Sequence, residues 1–198
     1  MKKVLTISAA LGIATASLTA ATSPTVWFQW TSGVGANNHW YGLSSDHDSW
    51  QAMHTMAVGF GYHLVSVNSA AEESFLHSTF GPQIDIPQEV EIPRQYVWIG
   101  YNDLVSEGDF EWTDGSLDSY NNWAPFEPNN SNDEDVTVLN WDGAGRWNDL
   151  PNSSGEGANF LALFESVDNP VPEASDAAAV GGLAVLALGI WRARRARA

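Results

Sequence analysis

The ten residues EPNNSNDEDV, 127 to 136, put Glu127, Asp133, Glu134 and Asp135 side by side with no lysine or arginine among them. Carboxylates held this close in a folded chain raise one another's pKa unless water, distance or a cation relieves them. The stretch is therefore either a solvated turn or a loop built to hold a cation. The rest of the chain has to choose between the two.

A chain of 198 residues with 44% hydrophobic content and ten tryptophans can bury a sizeable core, and one folded domain is the expectation. Its ends read differently from its middle. Residues 1–21 have a basic start at Lys2 and Lys3, an apolar run from Val4 and small residues around Ala20, the pattern of a secretory signal peptide. The protein is thus expected to be exported. At the other end, an uncharged run from Ala177 to Trp191 precedes Arg192, Arg194, Arg195 and Arg197. Fifteen helical residues rise about 22 Å, short of the roughly 30 Å hydrocarbon core, so a full-width span is marginal. A tail anchor with its arginines on the cytoplasmic side is the plain reading. The order Val171-Pro172-Glu173-Ala174-Ser175, hydrophobic segment, arginine cluster over 171–198 resembles the PEP-CTERM sorting signal of Gram-negative bacteria, with alanine at Ala174 where proline is common. That resemblance implies an exosortase-type processing enzyme as partner, transient inner-membrane contact, and a final place at the cell surface or in matrix polysaccharide.

Setting the ends aside exposes the charge of the middle. Between residues 22 and 170 there are 22 acidic residues against Arg94 and Arg146. Such a surface repels nucleic acid and anionic lipid and attracts divalent cations. No cysteine is present, which excludes disulfides, thiol catalysis and zinc–thiolate sites.

Local signals sketch the elements. Ser49 is placed to cap a helix with Trp50, Met53 and Ala57 along one face and Gly59 or Gly61 as the stop. His63 to Val67 reads as a strand. Ser69-Ala70-Ala71-Glu72 fits a capping box, with Glu72 returning to the Ser69 amide, and Phe75, Leu76 and Phe80 form the second helix's apolar side. From Gly81 to Gln95, three prolines without a clear period suggest a surface insertion. Tyr96 to Gly100, Asp109 to Trp112, VTVLNW, RWND and NFLALFE then read as short strands, and Asp114-Gly115 and Asp142-Gly143 as turns. Helices first, then strands and long loops, predicts an α+β fold.

Taken in order, HWYGL, SWQAM, GYHLVSV, AEESFL, WIG, EWTDGS, the EPN of Glu127 to Asn129, and Trp147-Asn148-Asp149 resemble the C-type lectin-like domain. The likeness runs from about Trp40 to Glu165, with the domain expected over 25–168. It implies two helices packed on short antiparallel sheets with a long calcium-binding loop. Trp98, Trp112 and Trp147 are expected in the core. The family's disulfide cysteines are replaced at Ala57, Ala162, Val136 and Asn152, so the long loop has no covalent clamp.

Carried over residue by residue, the resemblance assigns a main calcium and carbohydrate site to Glu127, Asn129, Glu134, Asn148 and Asp149, with a cis peptide bond before Pro128. Calcium takes six to eight oxygen ligands from such groups. Neighbouring sugar hydroxyls would donate to the carboxylates and accept from the asparagine amides. The EPN order implies mannose-type sugars. A second, structural calcium site is implied at Asp103, Glu107, Asn130, Glu134 and Asp135. The other class left open is a protein-interaction or adhesion domain in which calcium orders the loop and no sugar is bound. An enzyme is not expected: the five histidines lack HExxH spacing, no GxSxG occurs, and the paired acids lie in the loop that calcium explains.

Overall fold

The computed structural model describes residues 24, 26–84, 96–117, 119–141, 145–152 and 160–170. The signal peptide, the sorting signal, most of the 81–95 segment and the Asp142-Gly143 turn lie outside the described residues.

Helix α1 spans Trp50–Phe60. The Ser49 hydroxyl accepts the Ala52 amide at 3.3 Å, and Gly61, at φ 80°, ends the helix in the left-handed conformation that glycine enters without a Cβ clash. Trp50, Met53 and Ala57 are its buried side, as their spacing predicts. Helix α2 spans Ala70–Ile84. Here two expectations are corrected. The surface insertion expected from Gly81 does not begin there: the helix continues through Pro82 to Ile84, which is fully buried, and that burial offsets the one backbone hydrogen bond proline removes. The capping box is also only half formed. The Ser69 hydroxyl accepts the Glu72 amide at 3.1 Å, but the Glu72 carboxylate accepts from Asn68 N–H at 2.8 Å and from the Tyr41 hydroxyl at 2.5 Å, leaving Ser69 N–H aside.

Eight strands form one sheet: β1 Trp27–Gln29, β2 Trp40–Leu43, β3 His63–Leu64, β4 Val97–Asn102, β5 Glu111–Trp112, β6 Val136–Leu139, β7 Asn148–Leu150 and β8 Leu161–Ser166. The order is β1-β2-β8-β4-β6-β7, with β3 on β8 and β5 on β4. All pairs are antiparallel except β4 with β8, so the sheet is mixed and not purely antiparallel. The predicted strand from His63 to Val67 pairs regularly only over its first two residues. Val65 then divides its backbone bonds, donating to Leu163 and accepting from Gly100.

Strands β4, β6 and β8 are buried along their whole length because both faces are covered. Alternation sorts their side chains. Val97, Ile99, Leu161 and Leu163 meet Leu76, Phe80 and Ile84 of α2, while Trp98, Val138, Ala162 and Phe164 meet Trp50, Met53 and Ala57 of α1. Ala57 and Ala162 thus share one packed cluster without a covalent bond. Gly100 allows the crowding at the centre: a Cβ there would lie 2.7 Å from Thr113 Oγ1 and 2.8 Å from the Leu64 carbonyl.

Candidate metal and ligand site

Two short ladders bring distant acids together. Strands β6 and β7 pair Thr137 with Asp149 and Val138 with Asn148, which sets the end of the acidic loop against β7. A parallel bridge joins Trp123 to Trp147, with Ala124 N–H donating to the Trp147 carbonyl and Trp147 N–H to the Asn122 carbonyl, both at 2.9 Å. The segment entering Glu127 is thereby laid beside Asn148 and Asp149. Trp147 itself is fully buried, as are Trp98 and Trp112 to within 2% exposure. The Trp147 indole donates at 2.9 Å to Glu73, a carboxylate from α2 that also receives Asn122 Nδ2 at 3.0 Å and the Tyr120 hydroxyl. No sequence motif singles out Glu73. Nothing in a helical stretch of Ala-Glu-Glu marks which glutamate will face the loop.

The Glu127–Pro128 peptide bond is cis. Asp149 is fully buried, and its two oxygens accept the backbone amides of Asn129 at 3.2 Å and Asn130 at 2.8 Å. Glu134 Oε2 accepts Ser131 N–H at 2.8 Å, while Asn130 Oδ1 accepts Glu134 N–H at 2.8 Å, so the loop folds on its own side chains. Asn129 Nδ2 donates to Glu127. Asn148 is buried and its Oδ1 has no hydrogen-bond partner. The electrostatics reflect the crowding. Glu127 is pushed above its ordinary pKa by burial and then by Asp149, and Glu134 by burial, against the Ser131 amide, and then by Asp149 and Glu127. Glu127, Glu134 and Asp149 therefore occupy one electrostatic neighbourhood, with Asn129 bonded to both Glu127 and Asp149 and Asn148 preceding Asp149 on β7.

A second group gathers around the same loop. Glu107, Asp133 and Asp135 each bring one carboxylate oxygen within 4.8 Å of the others. Asn130 Nδ2 donates to Glu107 Oε1 at 2.6 Å. Asp103 is buried behind them; its Oδ2 accepts Gly108 N–H at 2.8 Å and its Oδ1 has no partner. Glu107 is raised by desolvation and by Asp103, Asp133 and Asp135, and Asp135 by burial and by Asp133 and Asp103. The structure thus gathers Asp103, Glu107, Asn130 and Asp135 from the predicted set. It adds Asp133, while the Glu134 carboxylate turns toward Asp149 and Glu127. Asp133 lies in the acidic run but belongs to no motif; its backbone is in the left-handed region, at φ 73°.

Both groups fit a hard divalent cation. Oxygen acceptors outnumber donors, Asn148 Oδ1 and Asp103 Oδ1 are buried without partners, and Glu127, Glu134, Glu107 and Asp135 are raised by desolvation and by neighbouring acids.

Known proteins share this fold and much of this sequence. A family model described as Lectin C-type domain matches residues 46–157. Human C-type mannose receptor 2 is 44% identical over 115 residues, which is 57% of this chain and 7% of the receptor's length. The chain likewise spans only 3% of bovine versican core protein. Among solved structures, the C-type lectin CEL-I from Cucumaria echinata is similar at 28% identity and a TM-score of 0.57, covering 74% of this chain and 99% of that one. The cow carbohydrate-recognition domain of CD23, crystallised in the presence of a GlcNAc2Man3 oligosaccharide, is similar at 25% identity and a TM-score of 0.56, covering 75% and 98%.

Proposed function

This chain belongs to the C-type lectin domain family, and on that premise we propose that it is an exported, calcium-dependent carbohydrate-binding module with a preference for mannose-type sugars. The observation that carries the reading is the convergence of Glu127, Glu134 and Asp149 from two separate segments on the exposed Asn129, which donates to both Glu127 and Asp149, with the unpartnered Asn148 Oδ1 on the same strand as Asp149. Glu127, Asn129, Glu134, Asn148 and Asp149 would hold the ion. Bound calcium supplies a hard positive centre with positions open to sugar oxygens.

The chain's own contribution is the pairing of acceptor with donor. Glu127 and Asn129 already face each other. Turned to a pair of adjacent hydroxyls, the carboxylate accepts and the amide donates, which two ionised carboxylates could not do. Asp149 acts from beneath by holding the Asn129 and Asn130 amides in place. Glu107, Asp133 and Asp135, backed by Asp103 and Asn130, form a second calcium site that orders the loop. The relatives' names support a sugar ligand: one is a mannose receptor, another a domain studied with a mannose-containing oligosaccharide. The signal-like start and the PEP-CTERM-like tail support action at the cell surface or in matrix polysaccharide, after processing by an exosortase-type enzyme and transient membrane contact. Among the described residues no helix is long and apolar enough to cross a membrane.

A glycan array with and without chelator tests the proposal. Calcium-dependent signal on mannose-terminated glycans is expected; no calcium-dependent signal on any glycan removes the lectin reading. Asn129→Asp then separates sugar recognition from loop ordering, because the ion keeps an oxygen ligand while the hydroxyl-directed NH₂ is lost. Glycan binding is expected to fall with calcium binding retained.

A further inference from the structure

Phe126 breaks two rules at once. Its side chain is 95% exposed, and its φ is 76°. Glu127 N–H donates to the Ala124 carbonyl at 3.0 Å, so Ala124, Pro125, Phe126 and Glu127 close a turn with proline second and a positive φ third. This is the pattern of a type II turn, whose third position belongs to glycine or asparagine because a larger residue meets its own backbone there. The other non-glycine residues of positive φ among those described are Asn38, Asn130, Asn132, Asp133 and Asn140, all of the types that tolerate it. Phe126 alone is aromatic. The fold recovers nothing from this ring by packing, since almost all of it faces solvent. Unreturned strain of this kind collects at ligand sites.

The position gives the ring its task. Phe126 directly precedes Glu127, one half of the pair proposed to meet sugar hydroxyls, and every other group assembled there is polar. Carboxylates and amides recognise the rim of a pyranose ring, whereas its C–H face needs an apolar partner. The face of an aromatic ring is apolar and electron-rich, and attracts such polarised hydrogens. We propose that Phe126 is a ligand-contact residue whose ring packs against the C–H face of the saccharide, selecting ligands that present such a face beside the hydroxyl pair. The inference rests on the reading of Glu127 and Asn129 as the sugar-directed pair.

The test uses the full calcium-loaded domain with methyl α-mannoside and an α-linked mannobiose as probes, comparing wild type with Phe126→Gly and Phe126→Leu. Phe126→Gly is expected to melt at a higher temperature, to bind calcium as wild type does, and to lose about 3- to 10-fold in saccharide affinity. Loss for both probes places the ring on the primary sugar; loss for mannobiose alone places it on the linked one. In wild type the ligand C–H protons shift upfield through the ring current, and Phe126→Leu abolishes that shift. Equal affinity of wild type and Phe126→Gly for both probes overturns the contact and leaves the lectin reading standing. A lower melting temperature for Phe126→Gly assigns the ring to the fold and also overturns it. Failure of wild type to bind either probe in calcium overturns both readings together.

Discussion

Glu73 and Glu134 are each 7% exposed, and they stand in opposite situations. Glu73, on α2, accepts from the Trp147 indole, the Asn122 amide and the Tyr120 hydroxyl. Glu134, in the acidic loop, accepts one backbone amide and faces Asp149 and Glu127. The contrast extends to their neighbours. Glu165 is bonded by His39 at 2.6 Å and by Ser66 N–H at 3.1 Å, and Glu72 by Tyr41 and Asn68. Glu107, Asp133 and Asp135 mainly face one another. A buried acid is therefore no sign of a site by itself. What separates the structural acids from the loop acids is the ratio of donors to oxygens, and among the acids compared the loop is left with the deficit that a cation fills.

The hardest way to break this contrast is to remove a satisfied acid. Glu73→Leu leaves an indole, an amide and a hydroxyl without their acceptor, and is expected to cost about 3–5 kcal/mol by urea denaturation, equally with calcium or chelator. Glu73→Gln should restore most of it, because its carbonyl oxygen still accepts and the Tyr120 hydroxyl can accept in turn. A loss below about 1 kcal/mol for Glu73→Leu would mean that the donors do not depend on this acid.

Next in size is the response of the loop acids to metal. Calcium at about 100 times its dissociation constant should stabilise the domain by roughly 2.7 kcal/mol at pH 7. Glu127 and Glu134 are raised above the ordinary glutamate value, so the stability linked to their protonation is complete below that value and is lost as pH rises through their raised ones. Melting without metal should then improve on acidification through this window. The calcium increment should shrink over the same window, because the ion needs ionised ligands. Equal calcium increments by calorimetry at pH 7 and pH 4.5 would contradict the assignment.

The smallest effect sharpens the other side of the comparison. His39 is raised by its hydrogen bond to Glu165, against burial that lowers it, with Glu72 and Asp114 adding attraction. Its contribution is present below the ordinary histidine value and lost as pH rises through the raised one. His39→Ala should cost about 0.5 kcal/mol near pH 5.5, allowing for solvent screening of a side chain one-third exposed, and less near pH 9. Thermal melts of both proteins at the two pH values decide it; an unchanged cost would show that the pair acts by packing alone.

Much of the fold was legible because its signals are local. Ser49 and Gly61 bound α1, the 50, 53, 57 spacing names its buried side, and runs such as VWIG and VTVL read as strands. Where the reading failed, a distant contact decided. Burial of Ile84 carries α2 past Pro82, and Tyr41 with Asn68 draws the Glu72 carboxylate away from its cap. The site was legible as motifs, EPN and WND, and not as geometry. Asp133 carried no signal that could assign it to Glu107, and Phe126 gave no sign of its positive φ, which belongs to the turn and not to the residue.

By itself the sequence determined the inventory: a cysteine-free chain, an acid-rich middle, two helices before a run of strands, and an acidic loop with no lysine or arginine of its own. These follow from residue type and spacing, which act over a turn of helix or a few strand residues. Tertiary structure decided which acids are satisfied and which are left facing each other. Glu73 and Glu134 have the same chemistry, and their difference comes from the β6–β7 ladder and the Trp123–Trp147 bridge, which set partners far apart in the chain within hydrogen-bonding reach.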